Sequence, residues 1–496
     1  MLKQFVADKP DDKKEMKAQI KALRDTLMSQ QQRLMDAKLP VIVLIEGWAA
    51  AGKGSLIKEL ISEIDPRFYS VVSPMITSES QMRYPFLYPY MKAIPMNGKI
   101  TFFDSGWMDC AVQKFLRHEI TKTEYKRRIQ QVVDFERQLR DGGYLVLKLF
   151  LHIDKDEQFK RLQSLTDAPD TEWRVTGDDL WQHREYSRFL EAYDGFMEKT
   201  GDTIPWHILD GSHRNVAVRD AMKLITERIE RGLSEGRYVG EPFDEEFPLI
   251  KMPRLSEVDL TPTIDDKEYK KQLKELQSRL SELHNIIYRK KIPVILCYEG
   301  WDAAGKGGNI RRVAYPLDPR GFDVHPIASP LPHELNRQYL WRFWTRLPRT
   351  GHIAIFDRTW YGRVMVERLE GFCGEKDWQR AYNEINEFER TLTDWGAVVL
   401  KFWIHIDQDT QLARFTDRQN TPEKQWKITD EDWRNREKWP QYEVAVNEML
   451  QKTSTVNAPW HIIESNDKKY ARIRTLKIIV EALEKACDNH FERIME

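Results

Sequence analysis

The sequence predicts an α/β protein made twice, as two tandem domains that each carry a mostly parallel sheet flanked by helices. Three observations point there. Residues 39–54 return almost unchanged at residues 292–307, and an offset of 253 also pairs Asp104 with Asp357, Trp107 with Trp360, Pro169 with Pro422 and Asp179 with Asp432. Within each repeat, short apolar runs of strand length alternate with polar stretches of helical period, which is the pattern of βα units. Each repeat also places a glycine-rich turn between such a run and a helix start.

Taken in order, each repeat opens with a charged amphipathic helix, near Lys13–Ala37 and Asp266–Arg289, with apolar residues at helical spacing. The first strand and its glycine-rich turn follow. Ile100–Asp104 and Ile353–Asp357 are apolar runs ending in an acid, as a second buried parallel strand would be. Helices are expected around 122–140 and 376–394, further strands at 144–151 and 397–404, and a last strand at Trp206–Leu209 and Trp460–Ile463. There the offset is 254, so one residue has been inserted. Pro242, Pro248, Pro253 and Pro262 mark the join. The expected domains are therefore 1–240 and 266–496, with a linker over 241–265.

At 496 residues the chain is too long for one ordinary domain. Lys+Arg of 77 against Asp+Glu of 78 leaves a formal net charge of -1, which argues against a general nucleic-acid binder. The four cysteines have neither metal nor disulfide spacing, and no apolar run is long enough to span a bilayer. A cytoplasmic protein without membrane or nucleic-acid partners is the expectation.

The chemistry concentrates in the second repeat. Gly300, Ala303, Ala304, Gly305, Gly307 and Gly308 form a loop whose backbone N–H groups can turn inward on phosphate oxygens. Lys306 adds a mobile cation, and the helix start adds a partial positive charge. The usual hydroxyl after the lysine is missing, since Gly307 stands there. Asp302 is the candidate to hold a metal in its place.

Asp357 ends a strand, where the ligand crevice of such a sheet lies, and is the second candidate metal ligand. Arg358 follows it, and a planar guanidinium there could bridge two phosphates. The competing reading makes Asp357 a helix cap and Arg358 a solvated side chain. The stretch Arg414–Trp433 is dense in Arg and Lys and suits either a hinged basic lid or a solvated surface helix. Arg337, Arg342, Arg346 and Arg349, interleaved with aromatics, suit a phosphate channel or a single-stranded nucleic acid.

Three of these stretches together, residues 300–308, 357–364 and 422–433, resemble the polyphosphate kinase 2 family, once per repeat and over nearly the whole chain. The fused form is similar to its two-domain class, the polyphosphate:AMP phosphotransferases. The resemblance implies a P-loop kinase fold with a helical lid, and transfer of the terminal phosphate of polyphosphate to AMP, giving ADP, with Mg2+. It implies a catalytic centre of Asp302, Lys306, Asp357 and Arg358, with Mg2+ on the two aspartates. Arg418, Lys424 and Lys427 would belong to the lid, and Arg342, Arg363 and Glu367 are further candidates for contacting polyphosphate or nucleotide. Assembly into a homo-oligomer is also implied. Alternatives are polyphosphate-dependent phosphorylation of ADP or GDP, an ATP-dependent nucleoside monophosphate kinase, or a binding protein without turnover.

The first repeat keeps Lys53 and Asp104 but departs elsewhere. Asp302 aligns with Ala49, Arg358 with Ser105, Arg363 with Cys110, Glu367 with Lys114, Arg418 with Leu165 and Lys424 with Thr171. The expectation is a catalytically degenerate first domain.

Overall fold

The computed structural model describes residues 1–6, 12–74, 83–243 and 245–495, without the side chains of residues 424, 426, 427, 431 and 489–495. Its described residues form two compact units that do not follow the repeat boundaries strictly. The first takes residues up to 74, Phe86–Glu241 and also Leu331–Trp341; the second takes residues 83–85, Pro242–Pro330 and the chain from Arg342 onward.

Each unit holds one five-stranded parallel sheet. The first contains β1 (Val41–Gly47), β2 (Tyr69–Val72), β3 (Ile100–Asp104), β4 (Leu145–His152) and β5 (Trp206–Asp210), in the order β2-β3-β1-β4-β5. The second contains β6 (Val294–Gly300), β7 (Phe322–Pro326), β8 (Ile353–Asp357), β9 (Val398–His405) and β10 (Trp460–Glu464), in the equivalent order β7-β8-β6-β9-β10. All pairings are parallel, so both faces must be covered by helices, and the central strands β1 and β6 are buried almost end to end. Their unbroken apolar runs have this cause.

The edge strands β2 and β7 escaped the sequence reading. Every residue in them is half-buried or exposed, and Asp323 and Pro326 sit within β7, so neither carries a long apolar run. The opening helices fall at Lys13–Ala37 and Asp266–Arg289, where periodicity puts them. Asp12 caps the first through Lys14 N–H (2.8 Å) and Glu15 N–H (3.3 Å), and Asp265 caps the second through Lys267 N–H (2.9 Å) and Glu268 N–H (3.0 Å).

A buried ion pair pins a long helix to each sheet. Lys401 on β9 donates to Glu389 of the helix Glu375–Asp394 at 2.7 Å, and Lys148 on β4 donates to Glu136 of Lys122–Asp141 at the same distance. Burial pushes both lysines below their ordinary range, against the pull of the facing carboxylate. Because the pair recurs in both units, it belongs to the fold rather than to one site. The proline-rich stretch after 241 packs as part of the second unit, where Leu255 N–H donates to Asn447 Oδ1 (2.9 Å) and Met252 O accepts from Gln451 (2.6 Å). No described helix is long and apolar enough to cross a membrane.

Candidate active site

Strand order places the site. β6 lies between β8 and β9, so the loop leaving its C-terminal end opens at the point where the chain's crossovers diverge. That loop turns tightly over β9: Gly300 has φ 146°, and a Cβ there would stand 2.4 Å from Ile404 O. Gly305, at φ 118°, then starts the helix Lys306–Ala314, with its N-terminus aimed across the loop. Lys306 Nζ folds back onto the carbonyls of Gly300 (2.6 Å) and Trp301 (3.2 Å). These are weak neutral acceptors that an anionic phosphate would outcompete.

The loop is braced from below. Arg414 Nη1 donates to Ala303 O (3.0 Å) and Ala304 O (2.9 Å), while Nη2 donates to Ser465 O (2.5 Å) and Asn466 O (3.1 Å). Burial, with Arg418 nearby, lowers the guanidinium to about 10. Trp301 stacks on Trp439 with ring centroids 3.6 Å apart and donates from Nε1 to His405 Nδ1 at 3.0 Å. With Nδ1 accepting, His405 carries its proton on Nε2, from which it donates to Leu255 O (3.2 Å). Both histidine bonds are structural.

The end of β8 brings Asp357 and the arginine. Asp357 pairs in register with Tyr298, two residues before Gly300. Arg358 sits in the left-handed region at φ 66°, a strained setting for a long side chain, and its N–H donates to Tyr298 O at 3.0 Å. Its guanidinium, about half exposed, reaches Asp302 Oδ1 at 3.4 Å. The other oxygen of Asp302 accepts from Asn435 Nδ2 at 3.0 Å, and its carbonyl accepts from Gln411 Nε2 at 3.1 Å. The two aspartates offer hard carboxylate oxygens, and the 3.4 Å contact is long for a charge-assisted bond. The donor set therefore fits a small divalent cation of the kind that keeps its waters and leans on substrate phosphates.

The basic stretch splits into two roles. It forms the helix Gln408–Asn420, a 3-10 turn over Pro422–Lys427 and the helix Asp430–Glu437, capped by the reciprocal Thr429–Asp432 pair. Arg414 faces inward as the brace, whereas Arg418, half-buried, stands within electrostatic reach of Arg414 and Lys468. The side chains of Lys424 and Lys427 lie outside the described residues. Arg363 pairs with Glu367 at 2.8 Å, so each already meets an opposite charge within the protein. Arg342 Nη2 donates to Ala328 O at 2.9 Å. Arg337 belongs to the first unit, where it donates to Ile94 O at 3.2 Å.

Asn435 and Gln411 are absent from the sequence reading. Neutral amides carry no charge signal. The recurrence of Arg414 as Arg161, amid so many lost charges, was the available clue to a brace. Arg161 indeed binds Ala50 O, Ala51 O, Gly211 O and Ser212 O at 2.9–3.4 Å.

The first unit builds the same loop and fills it. Lys53 folds back on Gly47 O (3.2 Å) and Trp48 O (3.3 Å), as Lys306 does. Where Asp302 would stand, Ala49 donates its N–H to Gln182 Oε1 at 2.7 Å; Gln158 donates to the same oxygen at 3.0 Å. Gln182 also reaches Tyr193, whose hydroxyl donates to Asp109 at 2.7 Å. A network of two glutamines, a tyrosine and Asp109 thus lies at the loop where the second unit has Asp302.

Known proteins match this chain over nearly its whole length. The family model described as polyphosphate kinase 2 fits residues 10–235 and again 263–490. A polyphosphate:AMP phosphotransferase of Pseudomonas syringae pv. tomato is 39% identical over 478 residues, 95% of each chain. An ADP-polyphosphate phosphotransferase of Pseudomonas aeruginosa is 34% identical over 243 residues, covering 49% of this chain and 80% of that one. A crystal structure from Pseudomonas aeruginosa PA01, provisionally described as polyphosphate kinase 2, superposes with a TM-score of 0.86 at 35% identity, over 99% of this chain and 100% of that one.

Proposed function

The chain belongs to the polyphosphate kinase 2 family, and from that premise we propose that it transfers the terminal phosphate of inorganic polyphosphate to AMP, giving ADP, with catalysis in the second repeat. The observation that carries the assignment of the repeat is the Asp302–Arg358 contact above the loop of Lys306, which the first repeat replaces by Ala49 and Ser105. The relative matched along both repeats is named for AMP, whereas the one named for ADP matches only half of this chain.

Phosphoryl transfer asks the protein for position and charge rather than covalent chemistry. In this reading the loop N–H groups and the helix N-terminus hold the donor phosphates. Lys306 leaves its carbonyls for a phosphate oxygen, and Arg358 spans donor and acceptor. Asp302 and Asp357 would hold Mg2+, which supplies charge neutralisation on the phosphates when bound. Arg418, with Lys424 and Lys427, closes over the polyanion. The first repeat, residues 1–240, is catalytically degenerate. Nucleotide and polyphosphate substrates, with four cysteines free of disulfides, fit a cytoplasmic setting.

The test supplies purified protein and a magnesium salt with either long-chain polyphosphate or ATP as donor, and either AMP or ADP as acceptor. ADP formed from AMP with polyphosphate, and much less with ATP, is the expected result. Preferential formation of ATP from ADP moves the enzyme to the other acceptor class. Product with ATP alone overturns the assignment.

A further inference from the structure

Arg358 needs a reason to keep a left-handed backbone. Two consecutive residues of its turn are tied to two consecutive residues of β6. Arg358 N–H donates to Tyr298 O at 3.0 Å. Thr359 then donates twice to one oxygen of Glu299, from its N–H at 2.7 Å and from its hydroxyl at 2.8 Å. Glu299 is 5% exposed and Thr359 3%, so these bonds are made out of water, where they are strong and costly to leave unmade. The Thr359 hydroxyl also accepts from Tyr361 N–H at 3.2 Å, starting the 3-10 turn Trp360–Val364. Burial raises the Glu299 carboxyl, opposed by the Thr359 bonds and by Lys306 and Arg358.

The first repeat shows the same turn with only the first of these ties, Ser105 N–H donating to Ile45 O at 3.0 Å. Ser105 keeps φ 63°, but Gly106 stands where Thr359 does. Glu46, the counterpart of Glu299, reaches instead to Met108 N–H (3.1 Å) and Asp109 N–H (3.4 Å), and its other oxygen is buried without a hydrogen-bond partner. The threonine's two bonds to the glutamate and the arginine beside it are missing together.

We propose that Glu299 and Thr359 are positioning residues for Arg358. By fixing the turn to the strand that bears the phosphate loop, they hold the guanidinium over the loop on the Asp302 side, ready for charge developing on the transferred phosphoryl group. They touch no substrate. In the first repeat glycine stands at this position, beside a serine in place of the arginine.

This inference rests on the proposed reaction, and its test separates the two. Steady-state ADP formation from AMP and polyphosphate is measured for the full chain and for Thr359→Val, Thr359→Ser and Thr359→Gly, with thermal melts alongside. Thr359→Val and Thr359→Gly are expected to lower kcat roughly tenfold or more, with KM for AMP held within about twofold. Thr359→Ser, which keeps both donors, restores kcat. Wild-type kcat in the folded Thr359→Val or Thr359→Gly protein overturns the clasp, as does failure of Thr359→Ser to rescue. A native chain that makes no ADP brings down the reaction itself.

Discussion

Arg358 and Asp302 are one pair of side chains, yet they mark the clearest difference between two otherwise similar loops. A guanidinium that meets the transferred phosphoryl group acts mainly in the transition state. Arg358→Ala is therefore expected to lower kcat by on the order of 10³-fold or more, read from ADP formation with polyphosphate. A loss below tenfold would make the arginine a spectator. Glu46 is the residue-scale counterpart in the first unit. Burial, with Asp109 adding to it, pushes its carboxyl up to about 8 from an ordinary 4.5. Between those values the unfolded chain releases the proton and the folded chain keeps it, so this group's contribution makes stability fall as pH rises across that window. Glu46→Gln cannot ionise. Its melting temperature should exceed that of the native chain at about pH 8 and approach it at about pH 5. A deficit that persists at the higher pH contradicts the burial argument.

At the scale of elements, the phosphate loop depends on what lies beneath it. Arg414 satisfies four carbonyls from two segments, so Arg414→Ala is expected to cost about 2–5 kcal/mol, checked by chemical unfolding. The helix Asp430–Glu437 meets the loop through Asn435 on Asp302 and through Arg436, which donates to Gln411 Oε1 at 3.1 Å. Removing the amide in Asn435→Ala should raise hydrogen exchange across residues 430–437, measured in the full chain without substrate. Unchanged exchange would mean that the contact does not hold the helix down. The loop itself was legible in the sequence, because its glycines, its lysine and the flanking apolar run each follow from backbone sterics and burial. β2 and β7 were not legible, since edge strands half in solvent need no apolar run. Arg414 was read within a basic stretch suited to a lid or a solvated helix, because charge density says nothing about which way a helix turns. Asn435 gave no signal at all, for an amide matters only through the partner that the fold brings to it.

For the whole molecule, duplication explains why one chain carries two sheets of the same strand order. Lys53 and Lys306 make the same back-folded contacts, so the lysine alone cannot identify a working repeat. What surrounds it differs: a carboxylate, a guanidinium and a clasped turn in one unit, and a glutamine network in the other. The measurement that tests this division most directly is ADP formation from AMP and long-chain polyphosphate by the full chain carrying Lys53→Ala or Lys306→Ala. The account predicts near-native turnover for Lys53→Ala and loss of at least 10²-fold for Lys306→Ala, as expected when a cation on the moving phosphate is removed. Equal losses in both variants, or a loss confined to Lys53→Ala, would contradict it.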